Sequence, residues 1–233
     1  MSESEWPAGR WGAGALLPRL DARIAAELVR LGRPVAFAPG DVLIEQGERT
    51  RHALLLRSGW VKVVAAHGGS ATALLALRGP GDMVGELGAL DGQPRSASVI
   101  AVSRVSGLRV PEGDLHGWLR RSPEAALALN RYVSAKFREA TRFRVRAAAT
   151  VEARMASLLW SLGDTYGSPS GEGVLIEAPL TQQELAGLVN ASRAQVQRSL
   201  AELRRSGVIS TGYRRIVIRD RGRLTLLAER ADV

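Results

Sequence analysis

Two short groups of residues near the middle of the chain have the composition of an anion-binding site. Gly85-Glu86-Leu87-Gly88 precedes Arg95-Ser96-Ala97, with nine residues from Glu86 to Arg95. An arginine can donate two parallel hydrogen bonds to a phosphate, and a serine hydroxyl can donate one more. Glycines let the backbone approach a ligand closely, and the first N–H groups of a short helix beginning at Glu86 would face the same anion.

Glu86 adds a carboxylate acceptor to these donors. A ligand with one phosphate charge and one free ribose hydroxyl uses both kinds of partner, so the stretch predicts binding of a cyclic nucleotide. The alternative is a surface turn in which Glu86 and Arg95 only pair with each other, because motifs this short also occur by chance. A dinucleotide-binding loop is excluded, since the glycines at 79, 81, 85 and 88 have the wrong spacing.

These residues resemble the phosphate-binding cassette of the cyclic-AMP receptor protein (CRP/FNR) superfamily of bacterial transcription regulators. That cassette has Gly-Glu-Leu, a short variable loop, and then Arg-Ser-Ala or Arg-Thr-Ala. Its positions are matched here by Gly85, Glu86, Leu87, Arg95, Ser96 and Ala97. The resemblance implies that these residues bind cAMP, or alternatively cGMP, as an effector, and that the protein has no other cofactor.

A second group of motifs lies in residues 180–209, LTQQELAGLVNASRAQVQRSLAELRRSGVI. Thr181-x-x-Glu184 and Ser192-x-x-Gln195 are two capping boxes eleven residues apart, and each is expected to begin a helix. Apolar residues at helical spacing follow both boxes: Leu185, Leu188, Val189, Val196, Leu200 and Leu203. The pattern predicts a helix-turn-helix whose second helix carries Arg198 and Arg205 away from its apolar face, as expected for DNA binding.

Arg193 would lie in the first turn of the second helix, where side chains meet base edges, and its expected contact is with guanine. In the superfamily this place has Ser-Arg-Glu-Thr-Val, whose Arg and Glu contact bases together with a later Arg. Ser192-Arg193-Ala194-Gln195-Val196 keeps the first arginine, and Arg198 matches the later one. Because Ala194 replaces the glutamate that accepts from cytosine, a contact worth about 1–3 kcal/mol of discrimination is lost, and we predict a relaxed or altered preference at that base pair.

A two-stranded wing is predicted after Gly207, from residues 208–211 and 215–219 on either side of Gly212-Tyr213-Arg214. Arg214 and Arg215 at its tip are expected phosphate contacts, and the alternative is an exposed basic turn. The complete set of expected DNA-binding residues is Thr181, Gln182, Ser192, Arg193, Ala194, Gln197, Arg198 and Arg214.

The composition favours an anionic partner and gives no support for an enzyme. The net charge is +9, and residues 179–233 hold ten arginines against five acidic residues, a net of +5. The absence of cysteine excludes disulfides and iron–sulfur ligation by thiolates, and the three histidines lack metal-ligand spacing. A nucleotide hydrolase is the competing hypothesis, but neither paired carboxylates nor a nucleophile elbow is found in the sequence.

Short apolar runs separated by glycine-bearing turns indicate the element that would hold the cassette. Strands are expected at 42–44, 53–56, 61–65, 73–77 and 99–105. This spacing predicts a jelly-roll β-barrel with room for one small ligand in its interior. Before it we expect an arm over residues 1 to about 15 and a helix from Asp21 to Leu31, and after it a connector at 111–119.

Pro123 is expected to begin a long helix. Val133, Phe137, Ala140 and Ala147 lie on one stripe of it, interrupted by Arg144, and the stripe would either form a dimer seam or pack on the helix's own barrel. The resemblance favours the dimer and implies that this helix contacts the nucleotide base. The superfamily's Thr-Ser pair is absent at 139–141, which leaves Thr141 as the candidate hydroxyl. A further helix at 151–162 and a loop at 163–173 are expected to follow.

Together these features predict an α+β chain with four parts: an N-terminal arm (1–22), a cyclic-nucleotide-binding β-roll (23–122), a dimerisation helix (123–149) and a winged helix-turn-helix domain (150–233). The predicted function is a cyclic-nucleotide-responsive homodimeric regulator that binds a pseudo-palindromic double-stranded DNA operator, and the resemblance adds RNA polymerase as a partner. The alternative is a regulator of this type with a vestigial or repurposed effector site, active without cyclic nucleotide. No apolar run approaches 18 residues, so we expect a cytoplasmic protein with no membrane partner.

Overall fold

The computed structural model describes residues 11–66, 72–145 and 148–229. The first ten residues of the predicted arm, and Ala147 of the predicted stripe together with the side chain of Arg144, lie outside the described residues. By its internal contacts the chain divides into two compact units, Met1–Ser134 and Ala135–Val233. The division falls within the long helix, so this helix contributes residues to both units.

Two antiparallel sheets form the centre of the N-terminal unit. Their strands are β1 Arg33–Phe37, β2 Val42–Ile44, β3 His52–Ser58, β4 Val61–Ala66, β5 Thr72–Arg78, β6 Met83–Val84, β7 Ser98–Ala101 and β8 Val105–Pro111. One sheet has the order β1-β8-β3-β6 and the other the order β2-β7-β4-β5. The predicted jelly roll is confirmed in outline, but its two sheets remain separate and do not close into a barrel.

Helices cover the outer side of the sheet that contains β3. They are α1 Ala22–Leu31, α2 Glu86–Asp91, α3 Glu112–Arg121 and the first part of α4 Pro123–Val145. The predicted cap of α1 is confirmed, because the Asp21 carboxylate accepts a hydrogen bond from the N–H of Arg23 at 2.9 Å. At the start of α4 the Ser122 hydroxyl accepts one from the N–H of Ala125 at 3.2 Å.

The central strand β3 has apolar residues on both faces, because each face meets a different core. Leu54 and Leu56 lie in the apolar cluster between the two sheets, while Ala53 and Leu55 lie in the cluster under the helices. Successive side chains of β3 point to opposite faces, and both faces are buried. The strand therefore lacks the alternation of apolar and polar residues that a half-exposed strand has. The space between the sheets is filled by Leu43, Ile44, Leu54, Leu56, Val61, Val84, Val99, Ala101 and Val105.

A buried polar contact joins the long helix to the strand before the cassette. The Tyr132 hydroxyl lies 2.9 Å from a carboxylate oxygen of Asp82 and 2.9 Å from the carbonyl oxygen of Met83. Tyr132 and Asp82 are both completely buried, and Asp82 also accepts from the N–H of Gly79 at 3.0 Å. Because buried polar groups are costly without partners, this network fixes α4 against β6.

Three expectations for the N-terminal unit are corrected. The predicted strand at 99–105 is two strands, β7 and β8, which lie in different sheets. The predicted connector at 111–119 is helix α3, whose Leu115 and Trp118 are buried in the helix-covered core. The arm expected up to residue 15 ends earlier, since Ala15 and Leu16 are fully buried and the N–H of Leu16 donates to the Gly81 carbonyl.

The C-terminal unit combines helices with a small sheet. Its elements after α4 are α5 Val151–Tyr166, β9 Ser168–Ser170, β10 Gly173–Ile176, α6 Gln182–Leu188, α7 Arg193–Arg205, β11 Ile209–Gly212, β12 Arg215–Ile218 and α8 Arg221–Glu229. The sheet has the order β11-β12-β10-β9. The loop expected at 163–173 is corrected, because α5 continues to Tyr166 and a β-hairpin follows. Among the described residues, no helix combines the length and apolarity needed to cross a bilayer.

Candidate functional site

The cassette begins at the edge of a sheet. Strand β6 ends at Val84, Gly85 adopts the left-handed conformation with φ +72°, and α2 begins at Glu86, which confirms the expected short helix. A side chain at Gly85 would be strained at this φ and would collide with Ile44. Gly85 therefore lies next to Ile44, one of the apolar residues between the two sheets.

Arg95 is held inside the cassette by the protein itself. It is only 4% exposed, and its guanidinium donates to the Gly85 carbonyl at 2.6 Å, the His52 carbonyl at 2.6 Å and the Thr50 hydroxyl at 3.1 Å. A β-carbon at Gly88 would lie 3.1 Å from Nη1 of Arg95, so this glycine leaves space for the arginine. A guanidinium has five N–H donors, and these contacts use three of them.

Arg95 is buried close to two carboxylates. Burial lowers the pKa of Arg95, and the carboxylates of Glu48 and Glu86 act in the opposite direction. The group stays cationic at neutral pH, because a guanidinium begins with a very high pKa. Glu86 is therefore close enough to Arg95 to interact with it, as both the ligand hypothesis and the simple ion-pair alternative require.

The other predicted cassette residues differ in their exposure to solvent. Leu87 is 44% exposed, Ser96 is exposed, and Glu86 and Ala97 are partly buried. The free N–H groups of the first turn of α2 belong to the same segment. Thr141 lies in the other unit, where it is exposed and its hydroxyl donates to the Phe137 carbonyl at 3.1 Å. The structure thus assembles the cassette around Arg95, while the role of Thr141 stays a prediction.

Thr50, His52 and Glu48 are site residues that sequence reasoning missed. They precede or begin β3, more than forty residues before Arg95, and two of them contribute a hydroxyl or a main-chain carbonyl. Main-chain acceptors leave no mark in the residue types of a sequence. Only knowledge that β3 lies beside β6 would have placed this segment next to Arg95.

His52 is held neutral by its surroundings. Burial, reinforced by the guanidinium groups of Arg109 and Arg95, lowers the pKa of His52 to about 4, and Glu48 opposes the shift. The Nε2 atom is buried without a hydrogen-bond partner in the described part of the chain. Protonation would therefore put a charge where two cations already lie.

The stability of the protein is expected to fall as the pH drops from 6.5 to about 4. The unfolded chain takes up the His52 proton near 6.5, whereas the folded chain takes it up only near 4, so acid favours unfolding in this window. The effect on the free energy of unfolding is at most about 3 kcal/mol, reduced by the partial exposure of the residue. Denaturant titrations at several pH values should show a smaller pH dependence for His52→Gln. Identical pH profiles for the two proteins would contradict the prediction.

The helix-turn-helix is built as its capping boxes predict. The Thr181 hydroxyl accepts from the N–H of Glu184 and the Ser192 hydroxyl from that of Gln195, and both reciprocal side-chain bonds are formed. The two boxes begin α6 and α7, and the turn between the helices contains Asn190 at φ +48°. Thr181 and Ser192 are therefore cap residues, and both stay exposed at the helix N-termini.

Helix α7 presents one apolar and one polar face. Val196, Leu200 and Leu203 are buried, which confirms the predicted apolar face. The predicted DNA-contacting residues of this helix are all exposed: Arg193, Ala194, Gln197 and Arg198. Arg193 and Gln197 are four positions apart, as are the neighbouring Ala194 and Arg198, so these two pairs form one patch of the helix surface. The Nε of Arg193 lies 3.4 Å from Oε1 of Gln182, which places this residue of α6 beside the patch.

The wing is confirmed as strands β11 and β12. Its tip contains Arg214 with φ +55°, and the guanidinium lies 5.6 Å from the ring centre of Tyr213, which is 88% exposed. Arg215 is also exposed. An exposed basic tip suits contact with phosphates. Among the described residues, no group of three or more acidic or histidine side chains could hold a metal ion.

Comparison with known proteins identifies a domain family in each of the two units. Residues 34–122 match the model of the cyclic nucleotide-binding domain, and residues 153–227 match that of the Crp-like helix-turn-helix domain. The CRP-like cAMP-activated global transcriptional regulator of Mycobacterium tuberculosis is 30% identical over 200 residues, which are 85% of this chain and 89% of that protein. The cyclic AMP receptor protein of Thermus thermophilus is 30% identical over 82% of this chain and 86% of its own length.

A solved structure of a related protein also resembles this chain. A transcriptional regulator of the CRP/FNR family from Thermus thermophilus superposes with a TM-score of 0.65 at 30% identity, covering 84% of this chain and 98% of that one. These relatives are transcription regulators and not enzymes. The chain belongs to the CRP/FNR family of DNA-binding transcription regulators.

Proposed function

We propose that this regulator is a homodimer whose N-terminal unit binds a cyclic nucleotide, cAMP in the first place, and whose affinity for a pseudo-palindromic operator rises when the nucleotide is bound. The nucleotide would act by population shift, binding the DNA-competent arrangement more tightly than the other. RNA polymerase is the further partner expected of a regulator in this family.

One observation carries the nucleotide proposal: the Arg95 guanidinium lies against Gly85 and Gly88 at the first turn of α2. The cation and the helix N–H groups, which suit a phosphate, therefore lie close to the Glu86 carboxylate, which suits a ribose hydroxyl. Two relatives with 30% identity are a cAMP-activated regulator and a cyclic AMP receptor protein. The third relative, also 30% identical, is a transcriptional regulator of the CRP/FNR family.

The homodimer is supported by apolar residues that α4 leaves exposed. Phe137 is 73% exposed and Leu127 is 51% exposed, although both are large apolar side chains. Val133 partly packs against the core of its own unit, so it is less available to a partner helix than Phe137. A second copy of the same helix would bury Phe137 and the exposed Ala140.

An effector-independent regulator is the second candidate, and the state of Arg95 favours it. Three of its five N–H donors already bind protein acceptors, and the side chain is almost fully buried. The superfamily's pair of base-contacting hydroxyls is also absent at positions 139–141, where Glu139, Ala140 and Thr141 stand. In this case the arginine would serve the fold of the cassette alone.

Calorimetric titration with cAMP and cGMP separates the two candidates. We expect micromolar binding of one nucleotide, weakened about tenfold to a hundredfold in Ser96→Ala, because an exposed hydroxyl that donates to a charged phosphate is lost. Ser170→Ala, which changes an exposed serine of the C-terminal unit, is the matched control. Absence of binding to either nucleotide favours the effector-independent regulator. Unchanged operator affinity in a sample shown to contain nucleotide would contradict the regulatory role.

A further inference from the structure

Arg154 on helix α5 makes an unusual set of main-chain contacts within the C-terminal unit. Its Nε donates to the Val189 carbonyl at 2.7 Å, its Nη2 to the Asn190 carbonyl at 3.2 Å, and its Nη1 to the Ala149 carbonyl. Each nitrogen of one guanidinium therefore has a different carbonyl acceptor. Two of these acceptors belong to the turn of the helix-turn-helix, and the third lies in the segment between α4 and α5.

The chemistry of the turn explains why a cation lies there. Val189 is the C-cap of α6, where main-chain carbonyls lose their helical partners and carry the negative end of the helix dipole. Asn190 adopts a positive φ and makes the chain reverse before α7. A planar guanidinium can hold two successive carbonyls in a fixed geometry, which the single ammonium of a lysine cannot do.

These carbonyls lie directly before helix α7 in the chain. Ser192 caps α7 two residues after Asn190, and Arg193 follows as its first residue. A shift of the turn would therefore move Arg193 and the patch of exposed residues on α7 together. We propose that Arg154 is a positioning residue for DNA recognition. It sets the orientation of α7 relative to the segment that contains Ala149, between α4 and α5.

The proposal makes a different prediction from a simple role in stability. Affinity for any DNA depends on the number of phosphates neutralised, whereas discrimination between sequences depends on the placement of side chains at base edges. A misplaced α7 would keep the first property and lose the second. The proposal uses the DNA binding of the family and does not depend on binding of a nucleotide.

The test compares specific with non-specific DNA binding by the full chain. The wild-type protein first selects a duplex from random sequences with cAMP and cGMP both present, and the dissociation constants for this duplex and a scrambled one are then measured at one salt concentration. We expect Arg154→Ala to weaken binding to the selected duplex at least tenfold and to the scrambled duplex no more than twofold. Arg154→Lys should keep the charge and still lose most of the discrimination.

Arg219→Ala is the matched control, because it removes one positive charge and a surface ion pair with Glu172 at a site outside α6 and α7. It should change both dissociation constants by the same small factor. If the selected and scrambled duplexes lose equal affinity in Arg154→Lys, or neither is affected, the proposal is overturned. Should Arg154→Ala fail to fold, as judged by circular dichroism, the lysine variant alone decides the question.

Discussion

Replacement of Arg95 by alanine is expected to lower the free energy of unfolding of the N-terminal unit by about 3–5 kcal/mol in the absence of nucleotide. The side chain is 4% exposed and donates to acceptors on Gly85, His52 and Thr50. The substitution would leave these acceptors without their donor and open a void where the side chain stood. The expected loss is a large part of the stability of an ordinary domain.

Equilibrium unfolding in urea, followed by tryptophan fluorescence and circular dichroism, measures this loss. Arg51→Ala is the matched control, because Arg51 lies in the same unit, its side chain is 57% exposed, and its carboxylate partner Glu112 is 3.8 Å away. The control should lose at most about 1 kcal/mol, since exposed ion pairs contribute little. Equal stability of Arg95→Ala and the wild-type protein would show that the three contacts do not hold in solution.

This expectation changes how nucleotide binding has to be tested. A variant without Arg95 would lose binding either because the ligand's cation is gone or because the cassette no longer folds, and the two causes give the same titration curve. Ser96→Ala is a sharper variant, because Ser96 is exposed and its loss leaves the contacts of Arg95 in place. A loss of nucleotide binding in Ser96→Ala can thus be attributed to the missing ligand contact and not to an unfolded cassette.

The cassette and the helix-turn-helix could be predicted because their signals are local. Gly85 and Arg95 lie ten residues apart, and each capping box connects residues three apart, so the sequence alone brings the partners together. The engagement of Arg95 by the segment before β3 could not be predicted in this way. It depends on two strands lying side by side, and its acceptors are mostly main-chain carbonyls.

The missed elements of the fold have a similar cause. Helix α3 contains Gly113 and Gly117 and follows Pro111, which weakens the helical signal, and it is stabilised by burying Leu115 and Trp118 in a core that distant residues form. The run at 99–105 is apolar enough for one strand. It divides because Val102 and Ser103 donate to the Trp60 carbonyl at the corner between the sheets. Tertiary contacts decide both cases.

Replacement of Arg193 by alanine is expected to have the largest effect on operator binding. The side chain is exposed in the first turn of α7, and within the described part of the chain it makes one long contact of 3.4 Å to Gln182, so it can turn to meet a base edge. A bidentate contact to guanine contributes about 1–3 kcal/mol of discrimination. In the proposed homodimer both half-sites lose it, which gives about 2–6 kcal/mol, or roughly 30-fold to 20,000-fold in affinity.

Arg214→Ala provides the contrast, because the same charge is removed from the wing tip, where a phosphate contact is expected. That variant should weaken binding to all sequences by a similar factor and reduce the salt dependence of binding, whereas Arg193→Ala should affect mainly the operator and relax the preference at one base pair of each half-site. Fluorescence anisotropy with the selected and the scrambled duplex at several salt concentrations measures both quantities. If the two variants give the same ratio of specific to non-specific affinity, Arg193 does not contact a base, and sequence recognition must come from other residues of the exposed patch on α7.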